Sequence, residues 1–120
     1  MAVRAVRGAV QLDVDEREHL LASTRELVAA VMAANELDAE HLISVVFTCT
    51  PDLRSEFPAV AARELGLGSV PLLCAVEIDV PGAMPRVVRL MAHAETDRAR
   101  DEVQHVYLRG AVALRRDIAQ

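Results

Sequence analysis

The chain has 120 residues and a formal net charge of −5, and 52% of its residues are hydrophobic. This length suits one domain over residues 1–120 with a single core, and it excludes a second domain. The acidic balance argues against nucleic acid or an anionic membrane as the main partner, although it leaves room for a local basic pocket.

The first predicted element is a strand over residues 3–12. Alternation places four of its residues on one face: Val3, Ala5, Arg7 and Ala9. A buried arginine is uncommon unless it is paired or holds an anion. Arg7 is therefore either half of a salt bridge at a sheet edge or a ligand-binding residue.

A long helix is predicted next, over residues 13–35. An acidic cluster opens it, which favours a helix N-terminus, and leucine and valine recur along one stripe at helical spacing. We expect this helix to cover one face of a sheet. Asn35 is suited to ending the helix in the left-handed conformation.

The following strand, residues 42–48, is an uninterrupted apolar run, which is typical of a strand covered on both faces. It leads into a corner over residues 50–66 that contains a turn and a short helix. Pro58 suits the first turn of that helix, and Gly66 suits the residue just past its end. Arg63 lies off the apolar face of the helix, where it is either solvated or available to a ligand.

Two further strands are predicted, over residues 70–80 and 86–95. Glu77 lies on the first strand and Arg89 on the second, and we expect a hairpin-like connection between them. A structural salt bridge across the two strands is then the alternative to a role in binding.

The C-terminal part of the chain is predicted to be less regular. Residues 96–104 are polar and are expected to be helical or irregular, whereas residues 105–108 and 111–114 are expected to be short extended pieces. The ordered chain should end at the arginine pair that begins with Arg115. Residues 117–120 are then a flexible tail.

Together these elements predict an α+β domain, with a mixed β-sheet, one long helix and one short helix. One long helix cannot cover all of the apolar sheet surface. We therefore expect a small symmetric oligomer that buries the uncovered face or edges of the sheet.

The sequence lacks the motifs of covalent and metal chemistry, with no glycine-rich phosphate loop and no nucleophile elbow. Its two cysteines, Cys49 and Cys74, have neither disulfide-framework nor zinc-ligand spacing. All thirteen basic residues are arginine, so lysine-based catalysis is excluded. Several arginines, a strand-face glutamate and the single tyrosine instead suit binding of a small polyanion, without a metal or a cofactor.

The N-terminus runs into the first strand without an apolar signal segment, and no apolar run is long enough to span a bilayer. Unpaired cysteines suit a reducing compartment. We therefore expect a cytoplasmic protein with no membrane partner.

Several short motifs occur together in this chain. They are Arg7-Gly8-Ala9, Thr50-Pro51-Asp52-Leu53, Phe57-Pro58-Ala59, Arg63-Glu64-Leu65, Val70-Pro71 followed by Cys74 and Glu77, and His105-Val106-Tyr107-Leu108. Each motif alone is a weak signal. Their joint order and spacing, across nearly the whole chain, resemble those of the AroH-class chorismate mutases.

The resemblance implies a chorismate-mutase-like pseudo-barrel trimer with three active sites at subunit interfaces. It implies the Claisen-type rearrangement of chorismate to prephenate, on the route to phenylalanine and tyrosine. The implied partner is therefore a small dicarboxylate substrate, chorismate, and the reaction needs no cofactor.

The resemblance also implies roles for individual residues. Arg7 would bind a substrate carboxylate, Arg89 would reach the ether oxygen and a carboxylate, and Tyr107 would assist on the side-chain carboxylate. Glu77 and Cys74 would face the ring hydroxyl. The other implied substrate-binding residues are Phe57 and Arg63 from a neighbouring subunit, Leu73, and Leu114 and Arg115 at the C-terminal end.

Cys74 and Glu77 are three residues apart on one predicted strand, so their side chains point to opposite faces. They cannot easily meet one ligand from a single regular strand. We therefore expect the pair to come from different chains, or to lie across a bulge, if both contribute to one site.

The chain departs from the family pattern at Val60, at Pro85 and at Gly110, and its tail ends at Gln120 where relatives run longer. Val60 stands where the family often has a lysine, so one positive contact is missing. The alternative function, from another class, is a non-catalytic trimeric module that binds small carboxylates. The presence of both Arg89 and Glu77 favours the enzyme over this module.

Overall fold

The computed structural model describes residues 1–114, which form a five-stranded sheet with one long helix on one face. The strands are β1 (Ala2–Gln11), β2 (Leu42–Cys49), β3 (Leu72–Val76), β4 (Val87–Thr96) and β5 (Val106–Leu108). The helices are α1 (Arg17–Ala34) and α2 (Pro58–Ala62), with a π-helical turn at Arg63–Leu67 and 3-10 turns at Ala39–His41, Arg100–Glu102 and Arg109–Leu114.

The sheet is mixed, with the strand order β3-β2-β4-β1-β5. The central strand β4 is antiparallel to both of its neighbours, β1 and β2, whereas the edge strands β3 and β5 run parallel to β2 and β1. The predicted α+β class with a mixed sheet is therefore confirmed. No helix in the part of the chain described is long and apolar enough to cross a membrane.

The helix α1 packs closely on the face of the sheet formed by alternate residues of β1. A Cβ atom added at Gly8 would lie 3.0 Å from Cγ2 of Val31 and 3.2 Å from Cδ1 of Leu27, both on α1. Glycine at this position therefore lets the helix approach the strand. The fully buried side chains of the main core include Val6, Val10, Leu20, Leu21, Leu27, Phe47 and Val88.

The opposite face of the sheet, which we call the open face, carries no long helix. Among residues 1–114, only the turn Arg109–Leu114 covers it, at one end, where it buries Ala111 against Ala9, Val87 and Tyr107. On β2 this face is half-buried rather than buried, so residues 1–114 of one chain do not supply the predicted cover on both faces of that strand. The continuous apolar run did not distinguish the two faces because Val46 is apolar although no helix covers it.

The C-terminus of α1 differs from the prediction for Asn35. Asn35 has a φ of −111°, and the left-handed residue is instead Glu36, with a φ of 53°. The buried Asn35 side chain acts as a clamp: its Nδ2 donates to the carbonyls of Val31 and Gln104, each at 2.9 Å, and its Oδ1 accepts from the Gln104 N–H at 2.7 Å. It thereby ties α1 to the segment that enters β5.

The strand β3 is shorter than predicted, and it does not form a hairpin with β4. Its last residue, Val76, pairs with Cys49, which is the last residue of β2, so no partner remains for a longer strand. The chain then turns, with Gly82 at a φ of 84°. The two strands predicted to be neighbours are separated by β2.

The segment predicted as extended over residues 111–114 is part of the 3-10 turn Arg109–Leu114. Arg109 has a φ of 55°, which turns the chain out of β5, and its guanidinium binds α1 through Ser23 and Glu26, each at 2.8 Å. The predicted end of order at Arg115 and the predicted tail at 117–120 lie outside the described residues.

The corner after β2 is held by side-chain hydrogen bonds to the start of β4. Thr50 Oγ1 donates to Asp52 Oδ1 at 2.5 Å and accepts the N–H of Val87 at 3.0 Å. The Asp52 carboxylate in turn accepts the N–H of Arg86, whose φ is 55°. The Thr50 and Asp52 side chains therefore fix the entry to β4.

Replacing Asn35 with Ala should lower the free energy of unfolding by about 2 kcal/mol, because the N–H and carbonyl of Gln104 then lose their partners. Urea unfolding at a fixed protein concentration measures this loss, since any assembly shifts apparent stability. Asn35→Asp keeps an acceptor for the Gln104 N–H but places a buried carboxylate against the carbonyls of Val31 and Gln104 at the C-terminus of α1, so it should lose at least as much. Equal stability of all three proteins would contradict the clamp.

Candidate active site

Three of the residues implied by the resemblance line one cavity of about 350 Å³ on the open face: Arg7, Arg89 and Tyr107. They come from β1, β4 and β5. The register explains their convergence, because Ala9 pairs with Arg89 on one side and with Tyr107 on the other. The small side chain of Ala9 leaves the space between the two larger ones free.

Arg7 is half-buried, and within residues 1–114 it forms no ion pair. β5 pairs with β1 only over Gly8–Val10, so Arg7 lies just before the paired segment. Since Arg7 has no ion pair within residues 1–114, its interpretation as half of an edge salt bridge finds no support in this part of the chain. Its backbone N–H donates to Nδ1 of His105 at 3.0 Å, which fixes β1 to the residue that precedes β5.

Glu77 lies just past the end of β3, at the rim of this cavity. Its Oε2 accepts a hydrogen bond of 2.6 Å from Thr48 Oγ1 and lies 3.6 Å from Nε of Arg89. The predicted ion pair between Glu77 and Arg89 is present, but it spans the intervening strand β2 rather than a hairpin. Both side chains remain partly exposed, with 29% of Glu77 and 39% of Arg89 accessible.

A second cavity, of about 290 Å³, contains Phe57 and Cys74, which the resemblance also assigns to the site. It lies beside the start of α2 and the edge strand β3. Cys74 pairs with Phe47, a core residue, whereas the next residue, Ala75, pairs with Thr48 of the open face. Cys74 and Glu77 therefore face opposite sides of the sheet within one chain, as the alternation predicted.

The titratable groups beside this second cavity suit binding rather than covalent chemistry. Burial raises the pKa of the Cys49 thiol to about 12, so this thiol stays protonated at neutral pH. The backbone N–H of Phe57, together with the Arg17 guanidinium, lowers the pKa of Glu56. Nowhere in residues 1–114 do three or more potential metal-ligand side chains cluster together.

The remaining implied residues are not gathered at either cavity. Arg63 is exposed in the turn after α2, and Leu73 lies on the edge strand with 61% of its surface exposed. Leu114 is half-buried against the cluster that contains Ala9 and Tyr107, at the covered end of the open face. Arg115 lies outside the described part of the chain.

Six residues that line the first cavity were not selected as site residues from the sequence: Gly8, Ala9, Val46, Thr48, Leu90 and Met91. Thr48 was overlooked because it closes an apolar run and was read only as part of the strand. Alternation along β2 could have found it, since a hydroxyl on the same face as Val46 interrupts an apolar surface.

The first cavity is asymmetric in charge. Two arginines and a phenol surround it, and one carboxylate stands at its rim. Fixed guanidinium groups bind carboxylates with defined geometry and can stabilise negative charge that develops during a reaction. The arrangement therefore suits a small molecule that carries several negatively charged groups.

Comparisons with known proteins agree with this chemistry. The family model for chorismate mutase type I matches residues 3–118. A chorismate mutase AroH from Thermus thermophilus is 49% identical over 117 residues, which are 97% of this chain and 96% of that protein. The chorismate mutase AroH of Bacillus subtilis is 37% identical over 120 residues, covering 99% of this chain and 94% of that protein.

A solved structure agrees as well. A chorismate mutase from Clostridium thermocellum superposes with a TM-score of 0.90 at 39% sequence identity, covering 91% of this chain and 97% of that one. The agreement extends over almost the whole of each chain, in sequence and in fold. The chain therefore belongs to the chorismate mutase type I family, the enzymes that convert chorismate to prephenate.

Proposed function

We propose that this enzyme rearranges chorismate in the cavity between Arg7, Arg89 and Tyr107, and that a neighbouring subunit completes each site. The observation that carries the proposal is the convergence of these three side chains on one cavity, with the Glu77 carboxylate 3.6 Å from Arg89 Nε.

The reaction explains why these residue types suffice. A Claisen-type rearrangement transfers no proton, so the protein has to hold the two reacting carbons together and stabilise the charge that develops. Arg89 stabilises negative charge on the ether oxygen as its bond breaks. Glu77, whose carboxylate lies 3.6 Å from Arg89 Nε, stabilises the ring as it becomes electron-poor, and Arg7 and Tyr107 bind the carboxylates.

The site of a single chain is incomplete, which supports a homotrimer with sites at its interfaces. Phe57 and Cys74 lie in a different cavity from Arg7 and on the other side of the sheet from Glu77, so one chain cannot bring all of them to one ligand. Exposed apolar residues surround the edge strand β3. They include Phe57, Leu73, Val76, Ile78 and Val80.

In this arrangement Phe57, Arg63, Leu73 and Cys74 of one subunit form a wall of the neighbouring subunit's cavity. Val60 is half-buried and packs against the core, so it contributes packing where the family often has a positive charge. Arg63, one helical turn further along, is then the cation that this segment presents to substrate.

The alternative, a non-catalytic carboxylate-binding module, has no support in the family assignment. Both of the described cysteines are free, which suits a reducing compartment, and we include a cytoplasmic location in the proposal. Loss of chorismate absorbance with purified protein tests the activity itself. Absence of turnover above the uncatalysed rate would favour the module.

Replacing Arg89 with Lys should reduce kcat about a hundredfold or more, because a point charge does not reproduce the positioned fork of a guanidinium. Steady-state kinetics with chorismate measures the loss. Arg25→Lys is the matched control, since Arg25 lines neither cavity and a lysine can keep its ion pair with Glu64, so this variant should keep normal activity. A mild effect of Arg89→Lys would remove Arg89 from the centre of the mechanism.

Mixing two inactive variants should restore activity if the sites lie between subunits. Arg89→Ala removes the arginine that a chain contributes to its own cavity. Arg63→Ala removes the arginine that a chain contributes to the cavity of the neighbouring subunit. Random trimers formed by joint refolding should then contain about a quarter of intact sites. Light scattering should give about three times the 13.0 kDa of one chain.

Verified mixing of differently tagged chains without any recovered turnover would contradict shared sites. A mixture of two Arg89→Ala preparations that carry the two tags provides the control, because it should stay inactive. A mass of one chain in solution would contradict the trimer directly.

A further inference from the structure

We propose that Thr48 is a positioning residue for the reaction: its hydroxyl holds the Glu77 carboxylate and so keeps the Nε–H of Arg89 free for substrate. The proposal rests on the proposed function, because it assumes that Glu77 and Arg89 act on chorismate. It assigns a task to a cavity-lining residue that contributes no charge of its own.

The position of Thr48 in the sheet places it between the two charged groups. Thr48 lies on β2, and it pairs with Ala75 of β3 on one side and with Arg89 of β4 on the other. Residues paired across neighbouring strands share a face, so the side chains of Thr48 and Arg89 both lie on the open face. Glu77 enters from the far side, two residues after Ala75.

The contact between Thr48 and Glu77 is short and charge-assisted. Thr48 Oγ1 donates to Glu77 Oε2 at 2.6 Å, within the range for a hydroxyl bound to a carboxylate. Glu77 is also held through its backbone, because its N–H donates to the carbonyl of Cys49 at 2.8 Å. These two bonds fix Glu77 although it lies beyond the end of β3 and is followed by the exposed Ile78.

The same carboxylate oxygen stands too far from Arg89 to accept its hydrogen bond. The distance from Glu77 Oε2 to Arg89 Nε is 3.6 Å, beyond the usual range for an N–H···O bond. Arg89 Nε is shielded from solvent, and it has no hydrogen-bond partner within the described residues. A buried donor without a partner is unfavourable and rare in folded proteins, and such groups occur where a ligand completes them.

Removal of the Thr48 hydroxyl frees the Glu77 carboxylate to move onto Arg89. A direct hydrogen-bonded ion pair would then engage the donor intended for substrate and neutralise both groups. The hydroxyl therefore keeps two opposite charges close together but separate. The Thr48 hydroxyl therefore affects the reaction only through Glu77, and its removal should matter only where Glu77 is intact.

The test compares kcat and KM for four proteins: Thr48→Val, Thr48→Ser, Glu77→Gln and the double variant Thr48→Val with Glu77→Gln. Thr48→Val keeps the shape and removes the donor, and it should lower kcat/KM about 10- to 100-fold. Thr48→Ser keeps the donor and should retain activity within about threefold. In the Glu77→Gln background, adding Thr48→Val should cost little, because the residue through which it acts is already altered.

Ser44→Ala is the control for loss of a hydroxyl from the same face of the same strand, outside the cavity, and it should leave activity unchanged. Thermal unfolding of each variant separates folding from positioning. If Thr48→Val does not fold, Thr48→Ala takes its place with the same expectation.

The outcomes separate this proposal from the proposed function. Full activity of Glu77→Gln would overturn the role of Glu77 and, with it, that of Thr48. An impaired Glu77→Gln beside a fully active Thr48→Val would overturn the Thr48 proposal alone. An equal loss from Thr48→Val in both backgrounds would do the same, since it would mean that the hydroxyl does not act through Glu77.

Discussion

The register between β1 and β4 determines the rest of the structure. It runs along the whole of both strands, and it places Val10 opposite Val88 under α1 and Ala9 opposite Arg89 on the open face. A slip of one residue would send every side chain to the other face, and would bury the arginines beneath the helix. The buried valines of these strands and the close approach at Gly8 hold the register. The core of this small domain thus also fixes the geometry of the cavity between Arg7, Arg89 and Tyr107.

The two faces of the sheet divide the chemistry between them. The open face gathers charge, with Arg89 and the bound pair of Thr48 and Glu77. The other cavity, with Phe57 and Cys74, is largely apolar. In the proposed assembly, the apolar cavity of one subunit would cover the charged cavity of its neighbour and exclude water from it. Exclusion of water would strengthen the electrostatic interactions in the charged cavity.

Local patterns predicted the faces of the strands, because alternation is a property of each segment alone: Arg7 was placed correctly on its face before any pairing was known. The sheet order could not be read in this way, because the insertion of β2 between β3 and β4 depends on long-range pairing. The end of β3 at Val76 and the burial of Asn35 could not be predicted for the same reason, since each depends on a partner distant in sequence. The hydrogen bond of Thr48 to Glu77 is likewise a tertiary contact.

The loop that contains Thr50 and Asp52 connects the strand that carries Arg89 with the helix that begins next to Phe57. Its side chains hold the entry to β4, the strand that carries Arg89, and the same loop continues into α2, which begins next to Phe57. In the proposed ring of three subunits, Arg89 and Phe57 of one chain would belong to different sites. A displacement of this loop by substrate in one site would therefore be transmitted to the next, and the three sites would have a mechanical route to cooperativity.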